Sequence, residues 1–226
     1  MKKWVPYLVK RRVELQPDGP KYLYDFASRF VYAVVATNGK DNTTTQGSAV
    51  AIDDRFLATN CHVIDKATSI TIHAGKAQIG ARRAGLPPVS DRRTDRCLLY
   101  ADDKLPAFAA IREWHDLNVG EHIFAIGVAQ GLALDLSLTL SDGMLSGKRT
   151  DGRHRLIQTT APISQGSSGG GLFDSSGRLL GITTFTIDGQ NLNFAIAAED
   201  WRYELCIADL DFIGPPPDCE RHIPIP

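Results

Sequence analysis

No stretch of this sequence approaches the roughly 18–20 consecutive apolar residues of a membrane-spanning helix, because charged residues recur along its whole length. Nor is there a charge excess of one sign. With 25 Lys and Arg against 26 Asp and Glu, the formal net charge is -1, so no global field would gather nucleic acid or an anionic membrane, and neither is expected as a partner. Cysteine is scarce: Cys61, Cys97, Cys206 and Cys219 are four in 226 residues, with no C-x-x-C spacing. That speaks against a disulfide framework, which stays open as the alternative, and favours reduced thiols and a cytoplasmic location, export after processing being the alternative there. Cys61 reads as a buried, inert thiol, a site of oxidation beside the histidine being the alternative. Cys61 and His62 are neighbours on what reads as a strand and would face opposite ways, so no zinc site is expected, and no cofactor is called for. The basic amino terminus lacks a secretory core, because Pro6 and then Lys10 interrupt its apolar residues. Internal repeats of fixed period are also missing.

What the chain does have is many short apolar runs broken by turn residues, at 30–36, 48–52, 56–59, 69–73, 77–81, 97–101, 122–128, 136–140, 155–160, 179–186 and 191–196. Runs this short and this frequent predict an all-β sandwich or barrel architecture. Turn signals stand between them at Asp53-Asp54, at Asp174 to Gly177 and at Asp188-Gly189. A helical pattern covers 197–206, where Ile196, Trp201 and Leu205 share a side, and a second covers 22–29. The proline-rich 207–226 reads as an extended tail and 1–29 as an amino-terminal extension, leaving 30–206 as one two-lobed unit.

Chemistry concentrates at three places. Gly166-Ser167-Ser168-Gly169-Gly170-Gly171 lies between two strand-like runs. A nucleophilic serine needs a tight turn that exposes its Oγ and aims backbone N–H groups at a developing oxyanion, and flanking glycines permit that turn. A flexible Gly/Ser linker is the plain alternative. His62 ends the apolar run that follows Gly47 to Ile52, and imidazole suits transfer of the serine proton. Asp95 opens the next run, with Cys97 and Leu99 on its face, so it needs a partner: the imidazole, or a salt bridge to Arg92 or Arg93. Asp91 is its competitor, in a polar stretch that no strand follows directly.

The order His62, Asp95, Ser168, with spacings of 33 (95 − 62) and 73 (168 − 95), resembles that of trypsin-like peptidases, and the motifs are similar to the bacterial HtrA/Deg type from about Phe30 to Trp201. Thr59-Asn60-Cys61-His62-Val63 resembles that family's T-N-x-H-V, Asp95 to Leu99 its D-x-A-x-L, Gly120 to Gly127 its G-x-x-V-x-A-I-G, and Ser141 to Arg149 its T-x-G-I-V-S-x-x-x-R. Gly166 to Gly170 resembles G-N-S-G-G, and Asn191 to Ile196 the strand closing the specificity pocket. The resemblance implies two packed six-stranded antiparallel β-barrels with a short carboxy-terminal helix. His62, Asp95 and Ser168 would meet in the cleft between the barrels, and the N–H groups of Gly166 and Ser168 would form an oxyanion hole. It implies a serine endopeptidase acting on protein or peptide. Two features depart from the pattern. Ser167 stands where secreted relatives carry an acid that receives a new amino terminus, and Gly171 replaces the usual proline.

Thr183, Thr184, Phe185, Asn193 and Ala195 are the expected substrate contacts, and Thr183 to Phe185 would pair with an extended substrate backbone. The segments 160–165, 181–185 and 193–196 hold no carboxylate, which favours a small or medium apolar residue before the scissile bond. HtrA-like relatives carry a PDZ domain after the protease, which this chain is too short to include. Activation by a partner protein or by self-assembly is therefore the companion expectation, with a latent enzyme or a non-catalytic binding module as the alternatives.

Overall fold

The computed structural model describes residues 19–84, 94–128, 136–150, 155–164, 166–186, 192–202 and 205; for Phe185 and Thr186 it describes the backbone alone. Helix α1 (Pro20–Ala27) comes first, with Pro20 in its first turn, where the missing N–H costs nothing. Six strands follow: β1 (Val31–Asn38), β2 (Thr43–Ala51), β3 (Phe56–Thr59), β4 (Ser69–Ala74), β5 (Ala77–Ala84) and β6 (Cys97–Ala101). They close as an antiparallel barrel in the order β1-β2-β3-β6-β5-β4. Strands β7 (His122–Val128), β8 (Leu138–Thr150), β9 (Arg155–Thr159), β10 (Gly171–Asp174), β11 (Leu179–Thr186) and β12 (Asn193–Ala197) close a second barrel as β10-β11-β12-β9-β8-β7. The two six-stranded barrels are those the resemblance implied.

Period-2 alternation explains both the barrels and their contact. In β2, Ala49 and Ala51 fill the first barrel, while Val50 and the following Ile52 point outward. In β6, Cys97, Leu99 and Ala101 point in and Leu98 points out. Likewise Ala195 of β12 lies in the second barrel and Ile196 outside it. The outward residues of both barrels merge into a third core with Phe173, Ile126 and Trp201. Strands buried on both faces read as continuous apolar runs, which is why the strand positions could be found from sequence.

Three expectations from the sequence change, and one holds. Ser141–Thr150 has no apolar run, yet it continues β8, whose alternation is of exposure rather than apolarity. The predicted helix at 197–206 begins inside β12; Ala198–Asp200 is one 3₁₀ turn, and residues 201, 202 and 205 are helical. The helix expected at 22–29 is α1, which packs Ala27 and Tyr24 on the core between the barrels and bonds Tyr24 Oη to the Leu138 carbonyl. Cys61 and His62 lie in a 3₁₀ turn (Cys61–Val63) after β3, not on a strand. Gly171, in the usual place of a proline, clears room: a Cβ there would lie 2.4 Å from the buried Phe173 ring.

Candidate active site

Three elements converge between the barrels. The 3₁₀ turn after β3 carries His62, and the backbone leading into β6 carries Asp95. Asp95 is not on the strand, so its inward facing does not come from period 2: its φ is +46°, a left-handed conformation that Asp tolerates better than most residues. Its carbonyl accepts from Cys61 N–H (3.3 Å) and Asn60 Nδ2 (3.1 Å), which holds the strained residue against the histidine turn. Beyond it, Arg96 reaches Asp200 (3.4 Å) and the Cys97 carbonyl accepts from Trp201 Nε1 (3.0 Å). The segment is thus anchored from the end of the second barrel as well.

The Asp95 carboxylate accepts three bonds: His62 N–H on Oδ1 (3.0 Å), and His62 Nδ1 (2.8 Å) and Thr184 Oγ1 (3.0 Å) on Oδ2. A carboxylate only accepts, so the proton of the neutral ring sits on Nδ1 and Nε2 keeps a lone pair. Thr184 also joins the serine to this group, because its carbonyl accepts from Ser168 Oγ at 3.1 Å. His62, Asp95 and Ser168 are therefore brought together, with the Ser168 hydroxyl engaged by the Thr184 carbonyl.

The serine loop is held by close backbone contact. Ser167 N–H donates to the Ser164 carbonyl (3.1 Å), and Gly166 has φ +90°, a backbone conformation that favours glycine. Gly169 has φ +85°, and a Cβ there would lie 1.8 Å from the Ser48 carbonyl oxygen, so only glycine fits. Among the described residues, neither Gly166 N–H nor Ser168 N–H is taken by an acceptor. Two unpaired donors beside a serine are what an oxyanion hole requires.

Of the expected substrate contacts, Thr183 is 1% exposed; its N–H and carbonyl pair with Gly170 and Gly169, so it cannot pair with a substrate strand. Ala195 is fully buried in the second barrel. Asn193 donates through Nδ2 to the Ala161 carbonyl (3.0 Å), tying β12 to the segment before the serine loop. Thr184 lies at a bulge in β11 between Thr183 and Phe185, and its side chain is taken by Asp95. The Phe185 side chain, Gln165, Asp91, Arg92 and Arg93 lie outside the described residues.

The cysteines overturn the expectation of reduced thiols and of an inert Cys61. Cys61 and Cys97 form a disulfide, with Cα atoms 4.9 Å apart. A signal for it stands in the sequence: Cys61 precedes His62 and Cys97 follows Asp95 by two, so a fold that joins His62 to Asp95 also joins the cysteines. Cysteine count and spacing alone do not carry that signal, because the pairing follows from the contact between two distant segments. Cys206 and Cys219 lie outside the described residues.

Comparison with known proteins bears on the family and the fold. The family model of the trypsin-like peptidase domain matches residues 47–182. The chain is 31% identical over 182 residues to the serine protease Do-like HtrA of Bacillus subtilis, covering 72% of this chain and 39% of that protein. It is 29% identical over 207 residues to the anti-sigma-I factor RsgI9 of Acetivibrio thermocellus, covering 89% and 27%. Among solved structures, the HtrA-type protease AlgW with tripeptide superposes with a TM-score of 0.73 at 27% identity, over 84% of this chain and 64% of that one. The chain spans between 27% and 39% of the length of these two curated relatives.

Proposed function

The chain belongs to the trypsin-like peptidase family, and we propose that it is a serine endopeptidase with Ser168 as nucleophile, His62 as general base and Asp95 as the group that orients the imidazole. The observation that carries this reading is the double role of Thr184, whose hydroxyl bonds Asp95 and whose carbonyl bonds Ser168, beside a His62–Asp95 contact of 2.8 Å.

In the proposed reaction a side-chain rotation releases Ser168 Oγ from the Thr184 carbonyl and turns it to His62 Nε2. Oγ attacks the scissile carbonyl carbon as its proton passes to Nε2, and the carbonyl π electrons move onto oxygen. Gly166 N–H and Ser168 N–H stabilise that oxyanion. Asp95 keeps Nδ1 protonated and balances the imidazolium. Collapse of the tetrahedral species expels the amine, which takes the proton from Nε2, and leaves an acyl-serine. Water then repeats the sequence, losing its proton to His62 and freeing the acid. The absence of a carboxylate from 160–164, 181–184 and 193–196 supports cleavage after small or medium apolar residues. Substrate backbone would pair with the edge of β11 beyond Thr183. The disulfide supports a working compartment that oxidises thiols, in place of the cytoplasm expected from composition.

A second reading keeps the enzyme latent until a partner protein, self-assembly or substrate turns the serine. It is favoured by the engagement of Ser168 Oγ with Thr184. Fluorophosphonate labelling of wild type beside Ser168→Ala, followed by casein digestion and mapping of the cut sites, separates the readings. Labelling that is lost in Ser168→Ala, with cuts after small apolar residues, is the expected result. Labelling only in the presence of a peptide points to latency, and none under any condition refutes the catalytic reading.

A further inference from the structure

Two buried hydroxyls lie beneath the serine loop with no part in the reaction above. Ser48 of β2 is fully buried, and Thr183 of β11 is 1% exposed. Buried hydroxyls must be hydrogen-bonded, and the identity of their partners is informative here. Ser48 Oγ accepts from Val128 N–H of the second barrel (2.9 Å) and donates to the Gly166 carbonyl (3.1 Å). Thr183 Oγ1 lies 2.5 Å from the Ser167 carbonyl oxygen and 3.2 Å from that of Gly170, and donates to the nearer. The next carbonyl, of Ser168, accepts from Ser48 N–H (2.8 Å). Three successive carbonyls, 166, 167 and 168, are therefore all drawn to the inner side of the loop by Ser48 and Thr183.

We propose that Ser48 and Thr183 form a hydroxyl clamp, one residue from each barrel, that positions the Ser168 N–H as oxyanion donor. The reason is the planar trans peptide, in which N–H and C=O point in opposite directions. Ser167 C=O and Ser168 N–H belong to one peptide, so drawing that carbonyl inward onto Thr183 aims the Ser168 N–H outward, to the side where the oxyanion forms. Ser48 fixes the adjoining peptide: its C=O end is held by Ser48, while its N–H end, on Ser167, is held by the Ser164 carbonyl (3.1 Å). Because Ser48 Oγ is itself seated on Val128 N–H, the loop geometry is tied to the contact between barrels. Both residues are positioning residues and touch neither substrate nor the reacting atoms.

The clamp deepens the proposed function and rests on its assignment of Ser168. It is tested with Thr183→Val, which keeps the branched shape and removes the hydroxyl, Thr183→Ser, which restores it, and Ser48→Ala. Each is measured for kcat and KM on a chromogenic peptide and for inhibition by a peptide boronic acid, whose tetrahedral adduct uses the oxyanion donors. Losing one donor outright costs on the order of 10²–10³ in turnover. The Ser167 carbonyl retains the Gly170 N–H bond (2.8 Å), so a smaller loss of about 10- to 100-fold in kcat follows, with KM within about threefold, boronate affinity falling in parallel and Thr183→Ser recovering most of it. A merely structural role would lower melting temperature without separating kcat from KM. The clamp is overturned if folded Thr183→Val and Ser48→Ala keep kcat and boronate affinity within threefold of wild type while Ser168→Ala is inactive. If Thr183→Val does not fold, Ser48→Ala decides the matter by the same threefold criterion. Hydrolysis that survives Ser168→Ala unchanged overturns the assignment of Ser168, and the clamp with it.

Discussion

Reduction of the Cys61–Cys97 disulfide should lower stability strongly and activity little. The bond joins residues 36 apart in sequence, a loop that contains β4 and β5. On the chain-entropy relation, closing a loop of that length removes about 13 cal/mol/K from the unfolded chain, or roughly 4 kcal/mol at 25 °C. For a domain of this size about 2–4 °C of melting temperature accompanies each kcal/mol, so the expected fall is about 8–16 °C. The native geometry does not depend on the bond in the same way. Four hydrogen bonds already join the two segments: Cys61 N–H and Asn60 Nδ2 to the Asp95 carbonyl, and His62 N–H and Nδ1 to its carboxylate. Peptide hydrolysis at 25 °C should therefore stay within about twofold after reduction. The assay is thermal unfolding with and without a dithiol reductant, beside Cys61→Ala/Cys97→Ala, with hydrolysis rates on the same samples. An unchanged melting temperature would refute the unfolded-state argument. Loss of hydrolysis in a sample still folded at 25 °C would show instead that the bond, and not the hydrogen bonds, holds His62 to Asp95.

Other predictions concern the loop and the surface pairs. Gly169→Ala should lose about 4 kcal/mol or more, seen as a fall in urea midpoint, because it adds a left-handed strain of roughly 1–2 kcal/mol to a contact of 1.8 Å with the Ser48 carbonyl; a shift under 1 kcal/mol would mean the loop is free to move. Arg112 grips Glu121 with both nitrogens (2.5 and 2.9 Å), and its guanidinium, with help from Asn118, lowers the Glu121 pKa. A depressed carboxylate stabilises the fold above its unfolded value of about 4.3, and this is lost as pH falls through the folded value. Glu121→Gln should accordingly cost about 1–2 kcal/mol at pH 7 and almost nothing near pH 2, by denaturant unfolding at both; an equal cost at both would assign the loss to packing.

Much of the fold was legible because its physics is local. Strand segments buried on both faces, such as the second half of β2 and β6, are largely apolar, and turns between them need Gly, Asp or Ser, so eleven runs marked the barrels. Segment Ser141–Thr150 escaped because its strand character comes from pairing with β7 and β9, not from its own residues. The site was legible as motifs, since a serine on a glycine-rich turn, a histidine and an acid each carry a chemical demand into the sequence.

Contacts across the chain were decided only in three dimensions. By itself the sequence determined the all-β class, the order of His62, Asp95 and Ser168, and the glycines that a tight nucleophile turn requires. The tertiary structure decided that Cys61 meets Cys97, that Asp95 faces His62 through a φ of +46° and not through strand alternation, and that Thr183 lies under the serine loop and not against substrate. Each of these depends on which strands become neighbours when the barrels close, and closure is set by the summed burial of both lobes, a quantity that no single segment encodes.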